Sequence, residues 1–121
     1  MLSGVFILVN EMNDRKLLEL AAEAAGIEFD FCRPELGGCQ VRKGLVSGWW
    51  NPLASDGDAL RLAVKLRLSP MMRTLGCDTT DLNGTAGAYE KWGGDQYAAT
   101  RRAIVRAAAE IGRQMQECGA A

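Results

Sequence analysis

From Asn13 to Ala25 the apolar residues recur at helical spacing. Leu17, Leu18, Ala21, Ala22 and Ala25 share one face and Glu19 and Glu23 the other, with Asn13 or Asp14 as N-cap and Gly26 as the stop. The period then changes to two. Ile27, Phe29 and Phe31 alternate with Glu28, Asp30 and Cys32, which predicts a strand to Arg33 with one buried face. Pro34 to Gly38 has turn chemistry, and Cys39 to Val46 predicts a second strand of a hairpin, continuing into Trp49-Trp50.

Asn51-Pro52 makes a turn, and Ser55 with Asp58 three residues later matches a helix capping box. A second helix is therefore predicted from about Asp56. Its stripe is Leu60, Ala63, Val64 and the stem of Arg67, widened by Leu62 and Leu66; Arg61 and Lys65 form a basic edge, and Pro70 ends the helix. Beyond it, Met71, Met72 and Leu75 suggest a short strand, Asp78 to Gly87 an exposed loop, and Ala88 to Trp92 another strand. Asp95 then caps a last helix to about Met115. Tyr97, Ile104, Val105, Ala108, Ile111 and Met115 form its apolar stripe, with Arg102, Arg106, Glu110 and Arg113 opposite and Glu110 spaced to pair with Arg106.

The expected fold is α+β: three helices around a small, mainly antiparallel sheet, in the order α-β-β-α-β-β-α. Residues 12–117 are read as one domain, residues 1–11 as an N-terminal extension or extra strand, and residues 118–121 as a frayed tail. The apolar run Val5 to Val9 is too short to span a membrane, and Met12 opens a stretch that reads as an alternative start.

Composition is that of an ordinary globular chain, 48% hydrophobic and 24% charged. A net charge of −1 argues against a dedicated nucleic-acid coat. Its distribution is uneven: residues up to Asp30 sum to −4 and Arg33 to Arg73 to +4, which predicts an acidic and a basic side. Four cysteines without C-x-x-C spacing, and no histidine, give no metal site and no expected cofactor. Cys32 and Cys39 are placed to face each other across the hairpin. A disulfide between them is open in an oxidising compartment, and idle thiols are the preferred reading.

Without histidine the common acid/base and triad constellations lack their usual member, so no catalytic residue is assigned. Asp56 and Asp58 are accounted for as helix-start acids, and Asp78 and Asp81 as loop acids outside any EF-hand pattern. The glycines form no nucleotide-binding loop, although Gly93-Gly94-Asp95 precedes a helix N-terminus that could hold an anion. Trp49 and Trp50, as neighbours in a strand, point to opposite faces. An exposed tryptophan near Arg42, Lys43, Arg61 and Lys65 would form a stacking and cationic surface, so Arg42, Lys43, Trp49, Trp50, Arg61 and Lys65 are the candidate binding residues. Arg102, Arg106 and Arg113 form a second basic stripe; packed aromatics and solvated charges are the competing account of both sets.

Trp50-Asn51-Pro52-Leu53, the run Asp56 to Leu66 and the run Gly94 to Gly112 together resemble small tailed-phage and prophage proteins of the phage ABA sandwich domain group. The likeness covers Met12 to about Met115, with Met71 to Lys91 departing from it. It implies helices around a small sheet and a phage accessory gene acting in a bacterial host cytoplasm, and it carries no catalytic residues across. The expected function is a non-enzymatic phage accessory protein that binds a host component, such as an inhibitor of antiviral defence of anti-CRISPR type or a sponge for a nucleotide signal. The alternatives are a nucleic-acid-binding accessory protein and a metal-dependent nucleotide- or phosphoryl-processing enzyme using loop acids. Expected partners are a host protein or complex, a nucleotide or a nucleic acid, with a homo-oligomer open and no membrane.

Overall fold

The computed structural model describes residues 12–44 and 48–119. The expected N-terminal extension or strand, the continuation of the second strand to Val46 and the last two residues of the expected tail lie outside them. Helices α1 (Asp14–Ala24), α2 (Asp56–Leu66) and α3 (Gln96–Gly119) alternate with two sets of strands: β1 (Glu28–Arg33), β2 (Gly38–Lys43) and β3 (Gly48–Trp50), then β4 (Ser69–Met72), β5 (Gly76–Thr80) and β6 (Gly87–Lys91). The fold is α+β with helices and strand pairs in the expected order. Each strand set has a third member and forms its own antiparallel sheet, ordered β1-β2-β3 and β4-β5-β6.

The local signals for the helix ends are realised. Asn13 accepts from the Lys16 amide at 2.9 Å. At the other end of α1, Gly26 takes φ +73° and the Ile27 amide donates to the Ala22 carbonyl at 2.9 Å, the Schellman arrangement that a left-handed glycine permits. Helix α2 stops in the same way but without glycine: Arg67 sits at φ +56° and the Leu68 amide reaches the Ala63 carbonyl at 2.8 Å. The helix thus ends before Pro70, which lies in β4 instead. In α3, Asp95 Oδ1 accepts from the Tyr97 and Ala98 amides at 3.0 and 3.1 Å, and the helix runs past Met115 to Gly119.

In the first sheet the strict alternation expected for β1 is broken. Phe29 pairs with Val41 and Phe31 with Gln40, so Asp30 and Arg42 are extra residues on their strands. These two bulged residues meet, Arg42 Nε to Asp30 Oδ1 at 2.7 Å. After the bulge the facing is reversed. Cys32, Cys39 and Trp50 align in register on the buried face, and Phe31, Gln40 and Trp49 on the outer one. Cys32 and Cys39 are joined by a disulfide and neither has exposed surface, which corrects the idle-thiol reading. Cys77 is a buried free thiol and Cys118 an exposed one.

Helix α1 packs on the first sheet, and α3 lies between α1 and the second sheet with α2 beside it. Arg102 meets Asp14, and Gln116 meets Glu23, so α1 and α3 run parallel. They approach closely at Gly112, where an added Cβ would collide with the Leu20 carbonyl. Ala103, Ala107, Ala108 and Ala109 are fully buried, because a helix covered on several sides needs short side chains. Tyr97 and Met115, expected in the apolar stripe of α3, are exposed. Nor is Asp78 to Gly87 all loop: its first residues complete β5, the central strand of the second sheet, with Cys77 and Thr79 fully buried.

Two outcomes follow. Gly112→Ala should lower stability by ~1–3 kcal/mol, since the added methyl must displace backbone. Gly57→Ala, where the nearest neighbour is a side-chain tip, the Arg61 guanidinium at 3.4 Å, should be neutral or stabilising by up to ~1 kcal/mol. Denaturant melts of both variants check the contrast, and equal effects would contradict the close approach. For the disulfide, Cys32→Ala/Cys39→Ala should cost ~2–3 kcal/mol by the loop-closure relation. Mass spectrometry after alkylation of the unfolded, unreduced protein should count two reactive thiols, not four.

Candidate functional site

The residues marked as candidates from sequence are distributed over the fold. Trp50 is fully buried, and its indole Nε1 has no hydrogen-bond partner among the described residues. Trp49 is 46% exposed on β3, with its ring edge-on to Phe31 at a centroid distance of 5.9 Å. Arg42 turns the other way, towards β1, where it binds the Phe29 carbonyl at 3.0 Å as well as Asp30. Lys43 is paired in register with Glu28. The positive charge of β2 therefore meets the acidic residues of β1, and the predicted division into acidic and basic sides is offset there.

The stripe on α3 is similarly engaged. Arg102 pairs with Asp14 at 2.9 Å, Arg106 with Glu90 and the Tyr89 carbonyl, and Arg113 with Glu110 and Glu117. The expected Arg106–Glu110 pair is replaced by Arg106–Glu90, which fastens α3 to β6. The Arg113 guanidinium beside Glu110 holds that carboxyl below its ordinary value, with Gln114 adding a second hydrogen bond. Cations committed in this way are poorly available to a phosphate backbone.

Helix α2 differs most from expectation. Asp58 is only 7% exposed: its carboxylate accepts from the Asn51 amide at 2.9 Å and from Arg61 at 2.7 Å, while its own amide donates to Ser55 Oγ. The capping box is thus half realised, the acid reaching back past Ser55 to the Trp50-Asn51 joint. Anchoring Asp58 turns Ala59, Leu62 and Ala63 inward, and leaves Leu60 64% and Val64 69% exposed.

Beside Leu60 an open groove of about 520 Å³ runs between α2, β4 and the start of α3, walled by Leu60, Pro70, Met72, Trp92 and Tyr97 over Ile104. Met72 and Tyr97 are 63% and 71% exposed. Several of the polar groups here are already paired. Arg101, absent from the sequence-based candidates, donates from Nε to the Leu53 carbonyl at 2.9 Å and pairs with Asp56 at 2.6 Å. Trp92 Nε1 donates to the Arg73 carbonyl at 3.0 Å and the Thr100 hydroxyl to the Gln96 carbonyl at 2.8 Å. What the groove offers a ligand is apolar contact. The sequence carried one signal of it: α2 has too many apolar residues for one face, so some had to remain outside.

A second hollow, of about 420 Å³, lies near Lys65, Arg67, Asp81 and Gln114. Asp81 closes its own loop, accepting from the Thr85 amide at 2.8 Å, the Thr85 hydroxyl at 2.7 Å and the Ala86 amide at 3.2 Å. Asp78 pairs with Arg73 at 3.4 Å. Among the described residues no group of three or more histidine, cysteine or acidic side chains is placed to hold a metal ion, and no helix is long and apolar enough to cross a membrane. Comparison with family models, curated proteins and solved structures returns no match for this chain.

The Thr85 hydroxyl, followed by the loop amides, holds the Asp81 carboxyl below its ordinary value. Because the folded value is the lower one, the loop's contribution to stability is complete above the ordinary carboxylate range and is lost as pH falls through the lowered value. Thr85→Val should return the Asp81 titration towards the ordinary value and speed amide exchange at Ala86. Carboxyl-carbon NMR titration reads the first effect; an unchanged titration would remove the assigned role of the hydroxyl.

Proposed function

We propose that this chain is a non-enzymatic accessory protein of phage type that docks a host protein through the groove between α2, β4 and α3, with inhibition of an antiviral defence as its purpose. The observation that carries the docking reading is that the exposed side chains Leu60, Met72 and Tyr97 converge, with Pro70 and Trp92, on one open hollow. Exposed apolar patches of this kind mark protein contacts and ligand-binding grooves. Support for the phage setting comes from the likeness of the strand-turn-helix and last-helix segments described above.

The nucleic-acid alternative is weakened by the ion pairs of Arg42, Arg102, Arg106 and Arg113. The enzymatic alternative is weakened by the engagement of Asp78 and Asp81 in their own loop and strand contacts. A host cytoplasm is reducing, and disulfides are uncommon there. Burial of both sulfur-bearing residues keeps reductants from the Cys32–Cys39 bond while the domain stays folded.

Capture from infected host lysate with the full chain, followed by hydrogen-exchange mapping, tests the proposal. One stoichiometric partner should protect α2, β4 and the Tyr97 region. Leu60→Glu, an exposed change, should weaken capture by at least ~2 kcal/mol, about thirtyfold, with an unchanged melting temperature. Arg42→Glu should leave capture intact. Protection confined to other surfaces, or capture indifferent to Leu60→Glu, would overturn the groove as the docking site.

A further inference from the structure

We infer that the occupant of the groove is an amphipathic helix whose apolar stripe is flanked by carboxylates; this rests on the docking reading and specifies the partner's chemistry. Three features of the site lead to it. On α2, Leu60 and Val64 form an exposed apolar row at i, i+4, and Arg61 and Lys65 form the adjacent cationic row at the same spacing. Two parallel rows of that period match the surface of another helix, apolar anchors towards the groove and acids towards the cations.

On α2 itself, the charge left outside ion pairs has one sign. Asp56 is held by Arg101 and Asp58 by Arg61. Lys65 and Arg67, by contrast, enter no ion pair among the described residues. The α2 ridge therefore presents unpaired positive charge beside apolar surface, the complement of an acidic flank.

Lastly, the groove disfavours the other common mode of peptide docking. β4 is an edge strand of four residues, and its second residue is Pro70, which has no N–H to offer an added strand. The Arg101, Trp92 and Thr100 donors at the groove are already committed inside the protein. Apolar side chains delivered by a preformed helix use what remains.

The test is a selection from a displayed library of helix-forming peptides against the immobilised full chain. Enriched peptides should carry apolar residues at i, i+3 or i+4 and i+7 with Asp or Glu beside them. A representative synthetic peptide should shift the Trp92 emission in a Trp49→Phe background. Its Kd should rise at least tenfold with Leu60→Glu and several-fold with Lys65→Glu, and its Glu-to-Lys counterpart should prefer the Lys65→Glu chain. Enrichment of basic helices, of proline-rich or extended peptides, or of nothing, overturns the inference, as does binding indifferent to Leu60→Glu at unchanged melting temperature. If the lysate partner still protects the groove in that event, the docking reading stands and only the helix chemistry fails.

Discussion

The contact between α1 and α3 at Leu20 and Gly112 sets the rest of the arrangement. Two parallel helices can approach this closely only where one of them lacks a side chain, and the alanines along α3 extend the same condition over several turns. With α1 against one side of α3, the first sheet is held on the far side of α1 and the second sheet on the opposite side of α3. The remaining flank of α3 receives α2, and Arg101 fastens the two through Leu53 and Asp56. The groove is the consequence: α2 is short, α3 is long, and β4 stops the gap between them only in part.

Ionic contacts follow the same geometry. Segments that are acidic or basic in sequence do not segregate into two sides, because strand pairing and parallel helix packing bring them together: β1 acids to Arg42, Asp14 to Arg102, Glu90 to Arg106. The exposed pairs among these contribute little stability each. Their effect is on recognition, since they remove from the surface most of the positive charge that a sequence-level count would assign to it. Lys65 and Arg67, where α2 ends, are among the cations outside these pairs.

Elements governed by local chemistry were legible in the sequence. Asn13, Gly26 and Asp95 act where the capping rules place them, and the order of helices and strands follows the changes of period. The misreadings arose where a long-range contact overrode a local pattern. Asp30 and Arg42 lie twelve positions apart and bulge together, reversing the facing of every later residue in β1; nothing local to either strand announces that. Asp58 fits a capping box, yet its carboxylate binds the Asn51 amide, and the rotation that follows exposes Leu60 and Val64. In β5, a run of short polar residues reads as loop, but a central strand buries Thr79 beside Cys77 because both its neighbours cover it.

Of these departures, the rotation of α2 bears on function. Had the predicted stripe been buried, Leu60 and Val64 would sit in the core and Asp58 would be at the surface, with no apolar ridge beside the groove. The observed arrangement satisfies a buried carboxylate with one backbone amide and one guanidinium, and it leaves two aliphatic side chains in water. Burial of either would be worth ~1.5–3 kcal/mol, so their exposure is a stability forgone by the isolated domain. A partner that covers Leu60, Val64, Met72 and Tyr97 recovers that term on binding. The same carboxylate that fixes the strand-turn-helix joint thereby determines which face of α2 is turned to solvent.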